Sequence, residues 1–186
     1  MVKPLDVIRA LAVLPLLALP HPALADPYTD DAAIDELFAE LRVAGNETEA
    51  DAISRQIWAL WFSPSDPKLA TRMSVAANFL GEGNLAASLG ELDRVVAEYP
   101  DYAEGWNQRA TLHYMLNQLE LSLADIDRVL AIEQRHYGAL SGRVLIYLKQ
   151  GRHDEALAQM RQALAIHPYL GERRLFPELA QDITHV

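Results

Sequence analysis

Apolar residues along this chain recur four and then three positions apart, the spacing that gathers them on one face of an α-helix. In residues 154–168, DEALAQMRQALAIHP, that face holds Ala156, Met160 and Ala163, and the run stops on Pro168. Moved 34 residues toward the N-terminus, the pattern falls on ELSLADIDRVLAIEQ (120–134), and moved again it falls on AASLGELDRVVAEYP (86–100). Small residues align at Ser88, Ser122 and Ala156, large ones at Leu92, Ile126 and Met160, and a further set at Val95, Val129 and Ala163. A period of this length sustained over three copies marks a helical solenoid.

A second periodic segment precedes each of these helices, starting at Ala70, Glu104 and Gly138 and ending on Gly83, Asn117 and Gly151. Glycine and asparagine tolerate the left-handed backbone that follows a helix, so each unit reads as helix, tight turn, helix. With Gly151, Ala156, Ala163 and Pro168 in the third copy, Trp106 and Ala110 in the second, and Phe79, Gly83 and Pro100 in the first, the chain resembles the tetratricopeptide repeat family. The resemblance implies an all-α, right-handed solenoid of three helical hairpins over 67–170, with repeats at 69–102, 103–136 and 137–170. Departures are Ser88 and Ser122 for alanine, Asn117 for glycine and Gln134 for proline; the last lets its helix run on toward His136. Small residues at Ala76, Ala110, Ala156 and Ala163 let helices approach, while Phe79, Leu92, Tyr147 and Met160 fill the volume between hairpins.

The flanks are helical too. Residues 30–45 carry Ile34, Leu37, Phe38 and Leu41 on one stripe behind an acidic first turn, and 47–62 carry Ile53, Ile57, Trp58, Leu60, Trp61 and Phe62. Together, within 26–66, they read as a degenerate hairpin that stacks on the first repeat as an N-terminal cap, with Trp58 and Trp61 in the cap core or, as the other reading, marking a docking patch. Asp66 and Pro67 restart the helices as N-cap and first helical residue. Residues 171–186 read as a C-terminal cap and tail, with a short helix broken at Pro177 that seals the third repeat through Leu175, Phe176 and Leu179.

Composition narrows the partner. Lys and Arg number 16 against 26 Asp and Glu, a net charge of −10, and the basic residues form no stripe. A nucleic-acid binder needs cations along one face, so that class is excluded, and adhesion to anionic lipid is disfavoured. With no cysteine, thiolate chemistry, disulfides, iron–sulfur clusters and a lipoprotein anchor are excluded together. Residues 1–25 read as a signal peptide: Lys3 and Arg9 open it, ALAVLPLLALP (10–20) is an apolar run too short to span a bilayer, and Ala23 and Ala25 precede a cleavage site before Asp26. Retention of the segment as an anchor is the other outcome. The expected compartment is the periplasm.

Candidate chemistry is thin. The six histidines form no helical pair, and no nucleophile elbow, phosphate loop or HExxH occurs. His113 reads as a packing histidine, His136 and Tyr137 as residues of a repeat junction, and His167 as a helix-end residue that favours the dipole when protonated. Asp93 and Asp127 occupy equivalent places and suit a charged ladder on the outer face. No catalytic residue, cofactor or metal site is expected.

In the family, the first helix of each repeat lines a concave groove for an extended peptide or a helix. Carried over, the groove residues are Met73, Ala77 and Leu80, then Asn107, Thr111 and Tyr114, then Ser141, Leu145 and Leu148. The places where some members hold a partner's C-terminal carboxylate carry Met73, Ala77, Gln108, Gly138 and Gly142 here, so that clamp is absent. Glu104, Arg109 and Lys149 fall at the rim. The expectation is a non-enzymatic interaction scaffold or adaptor of the bacterial cell envelope. Its partner is another protein or peptide, with no small-molecule substrate, and its oligomeric state is open. A periplasmic holder of unfolded exported chains, as in cytochrome maturation, is the alternative, and an enzyme working through His113 or His136 the third. Burial of part of the groove by the N-terminal hairpin or the C-terminal tail stands beside the open-groove reading.

Overall fold

The computed structural model describes residues 26–180. Residues 1–25, read above as a signal peptide, and the tail of residues 181–186 lie outside them. Eight α-helices follow one another: α1 (Asp31–Val43), α2 (Glu47–Trp61), α3 (Pro67–Gly81), α4 (Leu85–Glu98), α5 (Ala103–Met115), α6 (Leu119–Ile132), α7 (Tyr137–Lys149) and α8 (His153–Ile166). Two 3₁₀ turns, Gly171–Leu175 and Pro177–Ala180, complete the described chain, which contains no strand. None of these helices is long and apolar enough to cross a membrane.

Local chemistry sets the helix ends. Asp66 accepts hydrogen bonds from the Lys68 and Leu69 amides at 2.8 and 2.9 Å, with Pro67 first in α3. Asn46 caps α2 through the Glu49 amide, and the Glu49 carboxylate reaches back to the Gly45 amide, so two otherwise unpaired N–H groups are satisfied. The turns inside the three repeats share one geometry. Gly83, Asn117 and Gly151 have φ of 74°, 59° and 73°. The following amides, of Asn84, Gln118 and Arg152, donate to Phe79, His113 and Tyr147 carbonyls at 2.8 Å each. Amides of the left-handed residues donate to Leu80, Tyr114 and Leu148, which completes a Schellman closure in every repeat.

Helices α3 with α4, α5 with α6, and α7 with α8 form the hairpins, and α4 on α5 and α6 on α7 join them into a solenoid. Between paired helices the small positions do more than admit close approach. Ser88 donates to the Ala76 carbonyl and Ser122 to the Ala110 carbonyl, at 2.8 and 2.7 Å. The serines that replace the family's alanine therefore tie each hairpin across its own seam. Asp93 and Asp127 do form rungs of a ladder, but their partners are Arg109 and Arg143 of the next repeat's first helix. Arg109 also grips Asp125 with two hydrogen bonds, and its guanidinium lies 4.8 Å from the Trp106 ring centre.

Three expectations need correction. Helix α6 ends at Ile132 and does not continue past Gln134; His136 is instead the N-cap of α7, its Nδ1 accepting the Ala139 amide. The C-terminal cap is two 3₁₀ turns in which Phe176 and Leu179 are buried but Leu175 is 48% exposed, because a three-residue turn cannot aim all three inward. The largest change concerns the N-terminal hairpin. Ile34, Phe38, Leu41, Ala50, Ile53, Ile57 and Trp61 share a single core with Tyr137, Leu140 and Val144 of α7 and with Met160 of α8. Thus α1 and α2 pack on the third repeat, with Arg135 paired to Asp35 and Arg174 to Glu47. The hairpin also reaches the end of the second repeat, where Trp61 stacks on His136 and Arg135 lies over Phe38; toward the first two repeats, Tyr28 packs edge-on against Tyr99 and Tyr102, Asp26 accepts from the Ala103 amide, and the Tyr102 hydroxyl donates to the Trp61 carbonyl.

The left-handed turns yield a direct test. Gly151→Ala places a Cβ on a backbone with φ of 73° and should lower the unfolding free energy by about 1–2 kcal/mol, whereas Asn117→Gly should cost nothing. Urea titration checks both, and an unchanged midpoint for Gly151→Ala would contradict the assigned turn.

Candidate functional site

The first helices of the second and third repeats meet the N-terminal hairpin around a buried carboxylate. Glu104 is fully buried near the start of α5, where isolation from water would cost several kcal/mol if nothing replaced its hydration. Three donors do so. The Asn107 and Gln108 side-chain amides donate at 2.9 and 2.5 Å, and His136 Nε2 lies 3.1 Å away. Because His136 Nδ1 already accepts the Ala139 amide, its proton resides on Nε2 and is donated to Glu104. Trp61 stacks flat on the imidazole, 4.0 Å between centres and 5° between planes. Neither His136 nor Glu104 faces a site of substrate access: both are fully buried, and Glu104 is not a rim residue.

Above this knot lies a hollow of about 680 Å³. Its floor comes from α5 and α7, with Asn107, Gln108, Thr111 and Tyr114 on one side and Ser141, Gly142 and Leu145 on the other. Helix α2 supplies one wall through Asp51, Ser54 and Trp58, and the segment from His167 to Glu172 supplies another. The hairpin comes so near because Gly138 has no side chain: a Cβ there would lie 2.5 Å from the Trp58 ring. Tyr137 fastens the same wall, its hydroxyl 2.7 Å from Ser54 Oγ, and burial raises that phenol above its ordinary pKa. A second, smaller hollow of about 190 Å³ lies on the first repeat, between Met73, Ala77, Leu80 and Leu92. Phe62 and Gln108 border both hollows and divide the groove.

The expected groove residues distribute accordingly. Asn107, Thr111, Tyr114, Ser141 and Leu145 line the large hollow, and Met73, Ala77 and Leu80 the small one. Leu148 borders neither and packs against the core shared with the hairpin. Arg109 leaves the rim for Asp125, and Lys149 lies over the Tyr114 ring at 5.0 Å without lining the hollow. The two hairpin tryptophans part company: Trp61 is core, 2% exposed, and Trp58 forms wall. His113 packs beside Gln118 and Asp125, away from both hollows. Among the described residues no group of three or more His, Asp or Glu is placed to hold a metal. Trp58 was weighed as part of a docking patch, but Asp51, Ser54, Tyr169 and Glu172 were not legible as site residues. Their one signal was Gly138, a position where a missing side chain makes room for something large.

No family model matches the chain. A TPR repeat-containing protein of Rhizobium etli is 35% identical over 135 residues, which cover 73% of this chain and 66% of the relative. DnaJ homolog subfamily C member 3 of Mus musculus is 27% identical over 52% of this chain and 19% of its own length. Anaphase-promoting complex subunit 7 of Dictyostelium discoideum is 29% identical over 54% of this chain and 18% of its own. The chain thus spans just under two thirds of the first of these relatives and about a fifth of the others. A solved structure named MamA MSR-1 C2 superposes with a TM-score of 0.51 at 17% identity, covering 81% of this chain and 85% of that one. A MamA point-mutant structure gives the same TM-score at 15% identity, covering 82% and 86%. The chain is a tetratricopeptide repeat protein, and its fold is that of a protein-interaction scaffold.

His167, a buried residue in the wall of the hollow, provides a pH test. Its burial holds the imidazole below the ordinary histidine pKa, against the opposing pull of Asp51 and Glu172. It sits at the helix end as expected, the C-cap of α8, where its burial favours the neutral form. As pH falls through about 6.5 the unfolded chain takes up this proton first, so the stability it gives at neutral pH is lost on acidification. Unfolding free energies measured at about pH 7.5 and pH 5.5 should drop less in His167→Asn than in wild type. An equal drop would contradict the assignment.

Proposed function

We propose that the chain is an adaptor of the bacterial cell envelope, non-enzymatic, that holds an extended segment of another protein in the hollow between α5, α7 and the hairpin. One observation carries the reading. The first helices of two repeats leave about 680 Å³ among apolar and hydrogen-bonding groups, with Asn107, Gln108, Thr111 and Tyr137 held by hydrogen bonds. Peptide segments bind such grooves by burying alternate side chains while their backbone finds a few polar partners. The envelope half of the proposal rests on the leader pattern of residues 1–25: a basic start, a short apolar run and small residues before Asp26.

Photo-crosslinking residues at Tyr114 and Leu145 should trap a defined protein in cells, whereas Arg94 and Gln162 on the outer helices should not. Trapping only at the outer positions would place the partner elsewhere. In cell fractionation, the tagged chain should leave the cytoplasm with a mass that starts at Asp26. A cytoplasmic product of full mass would defeat the envelope assignment.

A further inference from the structure

We infer that the large hollow selects a basic side chain, lysine or arginine, of the segment it holds. This rests on the adaptor reading above and adds the chemistry of its partner.

The lining is built to accept hydrogen bonds. Glu104 draws the N–H ends of Asn107 and Gln108 toward itself, which fixes both amides and leaves Asn107 Oδ1 and Gln108 Oε1 as their unengaged ends. Asp51 from α2 and Glu172 from the first 3₁₀ turn add carboxylates on two walls, and no lysine or arginine lines the hollow. Among the described residues neither carboxylate is paired with a lysine or arginine. Both carboxylates line the hollow together with His167.

A second, independent observation points to an occupant. Ser141, on the floor, is 6% exposed, and its Oγ has no hydrogen-bond partner. An unpaired buried hydroxyl is a lasting cost that a bound donor or acceptor removes. Around these polar groups stand Trp58, Phe62 and Tyr169, whose rings suit the aliphatic stem of a long basic side chain and the positive charge at its end. A metal ion is a poorer fit, since Asp51, Glu172 and His167 form no ligand group. An anionic partner would meet two carboxylates and no lysine or arginine.

The probe is a phage-displayed library of random twelve-residue peptides, selected on the full chain. Three proteins are compared: wild type, Asp51→Asn with Glu172→Gln, and Thr111→Trp, which fills the hollow from an exposed position. Wild type should enrich peptides with lysine or arginine at one fixed position. The double amide variant should lose that enrichment and bind the selected peptides about tenfold more weakly, the worth of two partly exposed ion pairs. Wild-type binding should also weaken with salt, more steeply than the variant's. Peptides selected without a basic position, or a preference unchanged in the amide variant, would overturn the proposal and leave the adaptor reading standing. No selection on wild type, or binding indifferent to Thr111→Trp, would overturn both. A wild-type dimer that Thr111→Trp dissociates would show the hollow filled by a second copy, and that also overturns it.

Discussion

The contact between Trp61 and His136 holds together two parts of the chain that have no reason of sequence to meet. The indole lies flat on an imidazole whose tautomer is fixed from both ends, by the Ala139 amide on one nitrogen and Glu104 on the other. Glu104 in turn survives burial only because His136, Asn107 and Gln108 all donate to it. Four elements are therefore mutually dependent: α2, α5, the loop between α6 and α7, and α7. Removing any one partner leaves a buried polar group unpaired or an aromatic face open, and such losses commonly cost a few kcal/mol.

This closure changes what the repeats present. A solenoid of three hairpins would offer a continuous groove along its first helices. Here α2 stands over the second and third repeats, Gly138 gives Trp58 room to approach, and Phe62 divides the remainder. The result is one large, walled hollow with a small apolar one beside it. The flanks, not the repeats, bring Asp51 and Glu172 into the large hollow's lining. The polarity of the floor is set from within the second repeat, since Glu104 holds the N–H ends of the Asn107 and Gln108 amides.

What could be read in the sequence divides along the same line. Turns at Gly83, Asn117 and Gly151, the seam positions at Ser88, Ser122 and Ala156, and the Asp66–Pro67 helix start depend on neighbours a few residues away or on a period of 34, and all were legible. Placement of the hairpin was not. Ser54 meets Tyr137 across 83 residues, Asp35 meets Arg135 across 100, and Glu47 meets Arg174 across 127, contacts made once each and without any repeat to betray them. Charge was equally opaque: Glu104 and Arg109 share a helix face pattern with rim residues, yet one is buried whole and the other is bound to Asp125. Leu148 and Leu175 show the remaining limit, since an apolar residue at a groove or cap position does not reveal which neighbour covers it.

The absence of native cysteine makes the central claim, that the N-terminal hairpin seats on the third repeat, measurable without background. Asp35→Cys with Arg135→Cys places one thiol on the hairpin and the other in the loop that leads into the third repeat; Asp35→Cys with Glu82→Cys places the second thiol on the first repeat instead. Treated with a short bis-maleimide under native conditions and read by mass spectrometry of the digested monomer, the first pair should link within the chain and the second should not. A link between positions 35 and 82, with none between 35 and 135, would return the hairpin to the end of the solenoid and contradict the closure.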